Sequence, residues 1–282
     1  MSGFFYFEKA MINLNGELQK KSEPILNYNN RGFKYGDALF ETIKVVNLEC
    51  RFLEDHYFRV MASMRMIRME IPMYFTMEFF ENEIIKTVKY NKLENARVRF
   101  TIYRDNGGLY LPLNNKINFL IEVEPLNVQI KSSYVVDLFK DFYVYSGLLS
   151  TLKTTNKFTN VLAGIYANEN NYDNCILLNE RKHVVEVING NIFLVFGKIV
   201  KTPPIEDGCV KGIIRKKIIS HLEEQSNYTI EETSISPFDL QKADEIFISN
   251  SIIDIQPVTN YRKSSYKIQL AAELQEWLKN LI

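Results

Sequence analysis

Cysteine and histidine are scarce in this chain, and neither is grouped. The three Cys (Cys50, Cys175, Cys209) are far apart, odd in number and in no CxxC spacing. They read as reduced core residues of a cytoplasmic protein, not as a disulfide framework. The three His (His56, His183, His221) make no metal constellation with them, so no metal is expected. A surplus of one charge is missing too. Lys+Arg and Asp+Glu are both 34, for a net charge of zero. That argues against a general nucleic-acid or anionic-membrane partner, which would call for a basic excess. No apolar run reaches membrane-spanning length. The start, MSGFFYFEKA, has no basic n-region, and Glu8-Lys9 interrupts its apolar run, which argues against a secretion signal. Repeats and low-complexity tracts are also lacking. What is there is the balance of a soluble globular chain: 282 residues, 46% hydrophobic and 24% charged, enough for two domains with real cores.

Periodicity divides the chain. Residues 1–10 read as an extension before a domain start at Met11. Met11 to Leu18 reads as a hairpin around Asn15-Gly16, a favoured type I′ pair. Asn29 to Asp37 reads as a loop of special backbone angles, leading into a β-rich run from Ala38 to Val46. Asp55 to Met69 and Thr76 to Asn91 carry apolar residues at helical spacing. Two alternating strands follow: Val98, Phe100 and Ile102 share one face opposite Arg97, Arg99 and Thr101, and Ile117 to Val123 alternates likewise. The polar stretch 125–133, with a Pro, is the best linker. It separates an N-terminal domain, 11–124, from a C-terminal one, 134–282. In the second, short strands and helices alternate irregularly, with helices over Lys157–Asn168, from Gly212 to about Glu224, and over Leu270–Leu281. This order predicts a two-domain α+β (mixed α/β) fold over a regular βαβ wind.

Four places carry chemistry. Lys153 sits in Leu148-Leu149-Ser150-Thr151-Leu152-Lys153-Thr154-Thr155, an otherwise uncharged run before a helix. Partial burial disfavours an ammonium, which is what a nucleophilic lysine needs; on this window alone an ordinary helix-start Lys is the better reading, and the later stretches decide against it. Glu186 is an acid inside an apolar strand, either buried and paired or on the strand's solvent side. Gly212-Ile213-Ile214-Arg215 lies where a loop becomes a helix, so its backbone N–H groups form either an anion site or a plain helix start. Ser249-Asn250-Ser251 ends a strand with two hydroxyls and an amide suited to phosphate, or caps a further helix.

Several stretches, taken in order, resemble one family. Arg31-Gly32-Phe33-x-Tyr35-Gly36-Asp37-Ala38-x-Phe40-Glu41-Thr42 is similar to an RGxxxGDxxFE motif. Asp55-His56-x-x-Arg59 resembles EHxxR, and Leu152-Lys153-x-x-Asn156-Lys157-Phe158-x-x-Val161-Leu162 resembles LKxxNRLxxVL. Glu186 with Asn191-Ile192-Phe193 resembles ExxxxNLF, and Gly212-Ile213-x-Arg215 resembles GITR. Ala243 to Ser251, with Pro257-Val258, is similar to ADExFxSxT…PV. These are the motifs of the class IV (fold type IV) pyridoxal-phosphate aminotransferases, whose members include branched-chain and D-amino acid aminotransferases and aminodeoxychorismate lyase. The resemblance runs from Met11 onward. It implies a smaller N-terminal α+β domain and a larger C-terminal pseudo-barrel domain that binds pyridoxal 5′-phosphate.

It also implies roles. Lys153 takes the place of the Schiff-base lysine. Glu186 takes the place of the acid that pairs with the pyridine nitrogen. Arg59, the backbone of Gly212, Ile213 and Ile214, and Ser251 with Asn250 fall at the phosphate positions. Ile214 stands where the family has Thr, Val187 where it usually has Gly, and Phe158 where branched-chain enzymes carry Tyr. Substrate choice is expected from Arg104, Phe40, Leu109 and Tyr110. Arg104 is either a carboxylate-binding Arg or a strand-end surface residue. The apolar side chains favour an aminotransferase acting on an apolar or branched-chain amino acid and a 2-oxo acid. The lyase is the runner-up, weakened because Gly107-Gly108-Leu109-Tyr110 lacks the Arg of its loop. A non-catalytic relative is a third reading, opposed by the presence of both Lys153 and Glu186. A homodimer is implied, and an aromatic-rich N-terminal domain gives a reason of its own for pairing.

Overall fold

The computed structural model describes residues 10–225 and 227–281. Residues 1–9 of the expected extension lie outside the described residues. The chain forms two compact units. The first takes in residues up to Asn127 together with Lys153–Asn156, and the second takes Val128–Leu152 and Lys157 onward.

The first unit is built on one antiparallel sheet. Its strands are β1 (Met11–Leu14), β2 (Glu17–Lys20), β3 (Ala38–Val46), β4 (Glu49–Cys50), β5 (Ala96–Arg104) and β6 (Ile117–Pro125), in the order β2-β1-β6-β5-β3-β4. The β1–β2 turn has Asn15 at φ 53° and Gly16 at φ 91°, the backbone that an Asn-Gly pair favours. Helices α2 (Leu53–Met66) and α3 (Met77–Tyr90) cover one face. The Thr76 hydroxyl starts α3 by accepting from the Phe79 N–H. Alternation along β5 sends Val98, Phe100 and Ile102 under the helices, where all three are fully buried. There Phe80 and Phe119 lie 4.6 and 5.3 Å from Phe100, ring centre to ring centre. Each such pair contributes about 0.5–1.5 kcal/mol beyond its buried area. Much of the aromatic content expected to seek a partner is therefore used inside this core.

One expectation is revised. The stretch 29–37 is not all loop. It holds a short helix, α1 (Arg31–Tyr35), bracketed by an Asn30 side chain that accepts from the Phe33 N–H and by Gly36 in the left-handed region at φ 64°. Asn and Gly six positions apart are a helix start and stop as well as loop markers.

The second unit has two five-stranded sheets. One is β12-β11-β10-β13-β14, from β10 (Asn191–Phe196), β11 (Ile199–Thr202), β12 (Thr229–Glu232), β13 (Glu245–Asn250) and β14 (Asp254–Val258). The other is β16-β15-β7-β8-β9, from β7 (Val135–Leu138), β8 (Asn174–Leu178), β9 (Val184–Val187), β15 (Asn260–Tyr261) and β16 (Ser264–Ser265). Ile192, Leu194, Ile246, Ile248 and Val258 of the first share one core with Val136, Ile176, Val184 and Tyr261 of the second. Outside this core, α5 (Phe158–Glu169) packs on β8, α6 (Ile213–Gln225) on β13 and α7 (Leu270–Lys279) on β14, while the short α4 (Leu148–Thr151) precedes Lys153. Glu245 fixes the start of α7: its carboxylate accepts from the N–H groups of Gln269, Leu270 and Ala271. Among the described residues no helix is long and apolar enough to cross a membrane.

Candidate active site

Each unit carries one cluster of the expected residues. In the first, Lys153–Asn156 lies along the free edge of β3. Phe40 N–H donates to the Lys153 carbonyl at 2.9 Å, Thr155 N–H to the Ala38 carbonyl at 3.0 Å, and Leu39 and Thr154 form an antiparallel bridge. Gly36 permits this approach, since a Cβ there would stand 2.1 Å from the Asn156 Oδ1. The result is a fixed lysine. Its Nζ is 4.4 Å from the centre of the Phe40 ring, and the Arg99 guanidinium is 3.8 Å from the same centre. A ring face attracts cations, more so when water is excluded. Sequence reasoning named Lys153 and Phe40 but passed over Arg99, which it saw only as the polar side of β5. The available signal was register: Arg99 pairs with Thr42 and Thr101 with Phe40, so both point to the Phe40 face.

Arg104 corrects an expectation. It lies an odd number of positions from Arg99 and so points to the helix-covered face. There it is buried and makes four hydrogen bonds, to the Asp37 carboxylate, the Asn115 Oδ1, and the carbonyls of Ile67 and Arg68 just past α2. A guanidinium satisfied in this way ties the sheet to a helix end and is not presented to a substrate.

Asp37 Oδ2 also accepts from Arg31 Nε at 2.9 Å. Arg31 then reaches the loop at 107–110, donating to the carbonyls of Gly107, Leu109 and Tyr110. Arg31 thus holds the loop by its backbone and leaves Leu109 and Tyr110 74% and 91% exposed. Behind Phe40, on the helix-covered face, Glu41 receives Arg59 through Nε at 2.8 Å and through Nη2 at 2.5 Å. Burial pushes the Glu41 carboxyl up, but the Arg59 charge and the His56 contact outweigh it and hold it down at about 2.

The second cluster is organised by Glu186 and Asn191. Glu186 is only 6% exposed, which settles the choice left open by alternation in favour of burial. Its Oε2 accepts from the Val210 N–H at 3.0 Å, while Asn191 Nδ2 donates to the Val210 carbonyl at 2.9 Å. The two motif residues therefore grip one loop residue from both sides, just before α6. Gly212 is required by the same arrangement, because a Cβ there would lie 2.0 Å from the Asn191 Oδ1. Its own N–H turns back to the Val210 carbonyl. The N–H groups at this helix start that could meet an anion are thus those of Ile213 and Ile214, which an α-helix leaves without intrahelical acceptors. Their side chains are core, so the family's missing Thr hydroxyl is not replaced by any polar group at Ile214.

At the end of β13 the expectation shifts by residue. The Asn250 side chain accepts from the N–H groups of Ile252 and Ile253. It caps a turn into β14, and no helix starts there. Ser251 stays half-buried. A buried hydroxyl without a hydrogen-bond partner among the described residues lies two positions earlier, at Ser249, which stands opposite Asn191 in the β10–β13 ladder. Arg215 turns away to Glu232 and the Pro203 carbonyl.

These clusters can be set beside known proteins. The amino-transferase class IV family profile matches residues 38–261. A protein of Methanocaldococcus jannaschii named as a branched-chain-amino-acid aminotransferase is 29% identical over 252 residues, 88% of this chain and 86% of that protein. An aminodeoxychorismate lyase of Vibrio harveyi is 25% identical over 247 residues, 85% of this chain and 88% of its own length. The branched-chain aminotransferase of Thermoproteus uzoniensis, solved with norvaline, superposes with a TM-score of 0.86 at 23% identity, covering 96% of this chain and 94% of that one. At that identity the likeness shows the fold alone. The family match covers most of the chain and includes the motifs from β3 to β14, so the chain belongs to the class IV aminotransferases, a family of enzymes.

Proposed function

We propose that this chain is a pyridoxal-phosphate aminotransferase that moves an amino group between an apolar amino acid and a 2-oxo acid, with Lys153 as its catalytic lysine. The observation that carries the reading is the placement of Lys153. The chain brings it to the edge of β3, with its Nζ over Phe40 and the Arg99 guanidinium on the same ring. A lysine needed only for solubility has no reason to be held there.

The residues fit the cofactor. A fixed amine, a buried carboxylate, an orphaned buried hydroxyl and helix-start N–H groups are the donor set that a charged pyridine ring with a phosphate calls for. When bound, pyridoxal phosphate carries the substrate's amino group and accepts the electrons released at its α-carbon. The chain supplies the rest. Lys153 Nζ would take the proton from the substrate's α-carbon and return it to the cofactor carbon on the other side of the shared nitrogen, as base and then acid. Glu186 holds a proton on the ring nitrogen by its negative charge. Arg59, the N–H groups of Ile213 and Ile214, and the hydroxyls of Ser249 and Ser251 hold the phosphate. Arg99 takes the place first expected of Arg104, holding a substrate carboxylate on the lysine side of β5.

Leu109, Tyr110, Leu111 and Leu113 form an exposed apolar loop. A two-fold partner would cover such a patch, which supports a homodimer in which substrate choice belongs to the pair. Cys50, Cys175 and Cys209 are free thiols, in keeping with a cytoplasmic setting. The lyase reading is weaker, since the loop Gly107-Gly108-Leu109-Tyr110 lacks the guanidinium that its acidic substrate would call for.

The test is turnover of L- and D-amino acids with 2-oxoglutarate, with aminodeoxychorismate assayed alongside. Amino transfer from an apolar donor is expected. Turnover of aminodeoxychorismate alone would replace this reading with the lyase.

A further inference from the structure

Glu41 and His56 are both buried, and the steps above give neither a task. Glu41 stands on β3 opposite Phe100, on the helix-covered face. Two α2 residues share its carboxylate. Arg59 donates to both oxygens through Nε and Nη2, and His56 Nδ1 lies 2.7 Å from Oε2. Residues three apart lie on one side of a helix, so both reach the same acid. The histidine's form follows from its surroundings. Burial lowers its pKa, and together with the charges of Arg59 and Lys153 it outweighs the Glu41 contact that raises it. The imidazole is neutral, and next to a carboxylate its proton belongs on Nδ1. Nε2 is then a buried acceptor without a hydrogen-bond partner among the described residues. An unpaired buried acceptor is unfavourable, so the residue's value lies in the Nδ1 side.

We propose that Glu41, oriented by the Nδ1–H of His56, is the positioning residue of Arg59, fixing the guanidinium plane so that a phosphate meets an already oriented cation. The inference rests on the reading that Arg59 binds the cofactor phosphate. It has a definite opposite. A carboxylate beside an arginine also cancels its charge, and if cancellation dominated, Glu41 would weaken phosphate binding. Orientation and cancellation predict changes of opposite sign.

The experiment titrates the full chain, freed of cofactor, with pyridoxal 5′-phosphate and separately with pyridoxal, following the absorbance of the bound form at neutral pH. In Glu41→Gln the phosphate ester should bind about tenfold or more weakly, the size of a lost charge-assisted contact. Pyridoxal, which has no phosphate, should change by less than about threefold. His56→Asn places an amide N–H where Nδ1 lies and should keep the wild-type ratio of the two affinities. His56→Leu removes that donor and should lower the ratio as Glu41→Gln does. Should Glu41→Gln fail to fold, the two His56 variants decide the question between them. The proposal is overturned by unchanged or tighter binding of the phosphate ester to Glu41→Gln, by equal losses for both ligands, or by equal ratios in the two His56 variants. Wild-type protein that binds neither ligand would overturn the functional reading itself, and the inference with it.

Discussion

Arg99 and Arg104 leave the same strand on opposite faces. Arg99 lies 3.8 Å from the centre of the Phe40 ring, on the side that holds Lys153. Arg104 is closed into hydrogen bonds with Asp37, Asn115 and the carbonyls of Ile67 and Arg68. The pleat alone makes this division, since successive side chains of a strand point in opposite directions.

The two arginines should therefore fail differently when removed. Arg104→Ala leaves Asp37 and two carbonyls with lost partners inside the first unit. It should destabilise the fold by about 3–5 kcal/mol, the range for breaking one side of a buried ion pair, seen as a lower Tm. Arg99→Ala should keep its Tm within a few degrees but raise KM for the 2-oxo acid at least tenfold, the loss of a charge-assisted contact. Equal KM effects in the two variants would return the carboxylate role to Arg104.

Lys153→Ala should abolish amino transfer, and the absorbance of covalently held cofactor should vanish with it. Glu186→Gln is the more discriminating change. The amide oxygen can still accept from Val210 N–H, so the loop before α6 should hold and the Tm should stay near wild type. What is lost is the charge that keeps a proton on the ring nitrogen, and turnover should fall by about a hundredfold or more. A Glu186→Gln protein with normal turnover would remove this residue from the chemistry.

The hairpin at Asn15-Gly16, helices α2, α3 and α5, and the alternating faces of β5 and β6 were legible from period and turn residues alone. Local signals of this kind depend on neighbours along the chain. The site residues were legible only through motifs. Nothing local says that Lys153–Thr155 leaves its flanking helices to pair with β3, or that Glu186 and Asn191 grip Val210 from two sides. Those are contacts between distant stretches, set by register. Arg104 was left open between a ligand and solvent, and Asn250 was assigned to a ligand, because a strand end does not show the backbone carbonyls and N–H groups that are their partners here. Arg99 was missed because an arginine on the polar side of a strand reads as solvated until the strand beside it is known.

The apolar loop from Leu109 to Leu113 should be covered in solution by a second copy. Arg31 holds this loop through the carbonyls of Gly107, Leu109 and Tyr110, so a side-chain change leaves its course intact. Sedimentation should show a dimer at assay concentration. Leu109→Arg should remain folded but lose preference for apolar donors. A fully active monomer would end the dimer reading. A dimer whose Leu109→Arg variant keeps its preference would discard only the loop's role.

Acid should weaken the fold through the Glu41–His56–Arg59 group. Glu41 has an ordinary value of 4.5 and is held at about 2, where burial is outweighed by Arg59 and His56. A carboxyl held low stays charged in the folded chain while the unfolded chain takes up a proton. Its contribution is therefore complete above pH 4.5 and is lost as pH falls from there through about 2. His56 adds to the same trend from higher up. Burial lowers its pKa from 6.5, so below that value the unfolded imidazole accepts a proton that the folded one refuses. Both groups thus make the fold less stable as pH drops, His56 first and Glu41 after it. Thermal unfolding of wild type and Glu41→Gln across this range separates the two. The Tm difference between them should hold steady from neutral pH to about 4.5 and then close as the wild-type advantage titrates away. A gap that stays constant down to pH 3 would mean that Glu41 acts in the fold through shape and neutral hydrogen bonds, and that its charge is not what pairs with Arg59.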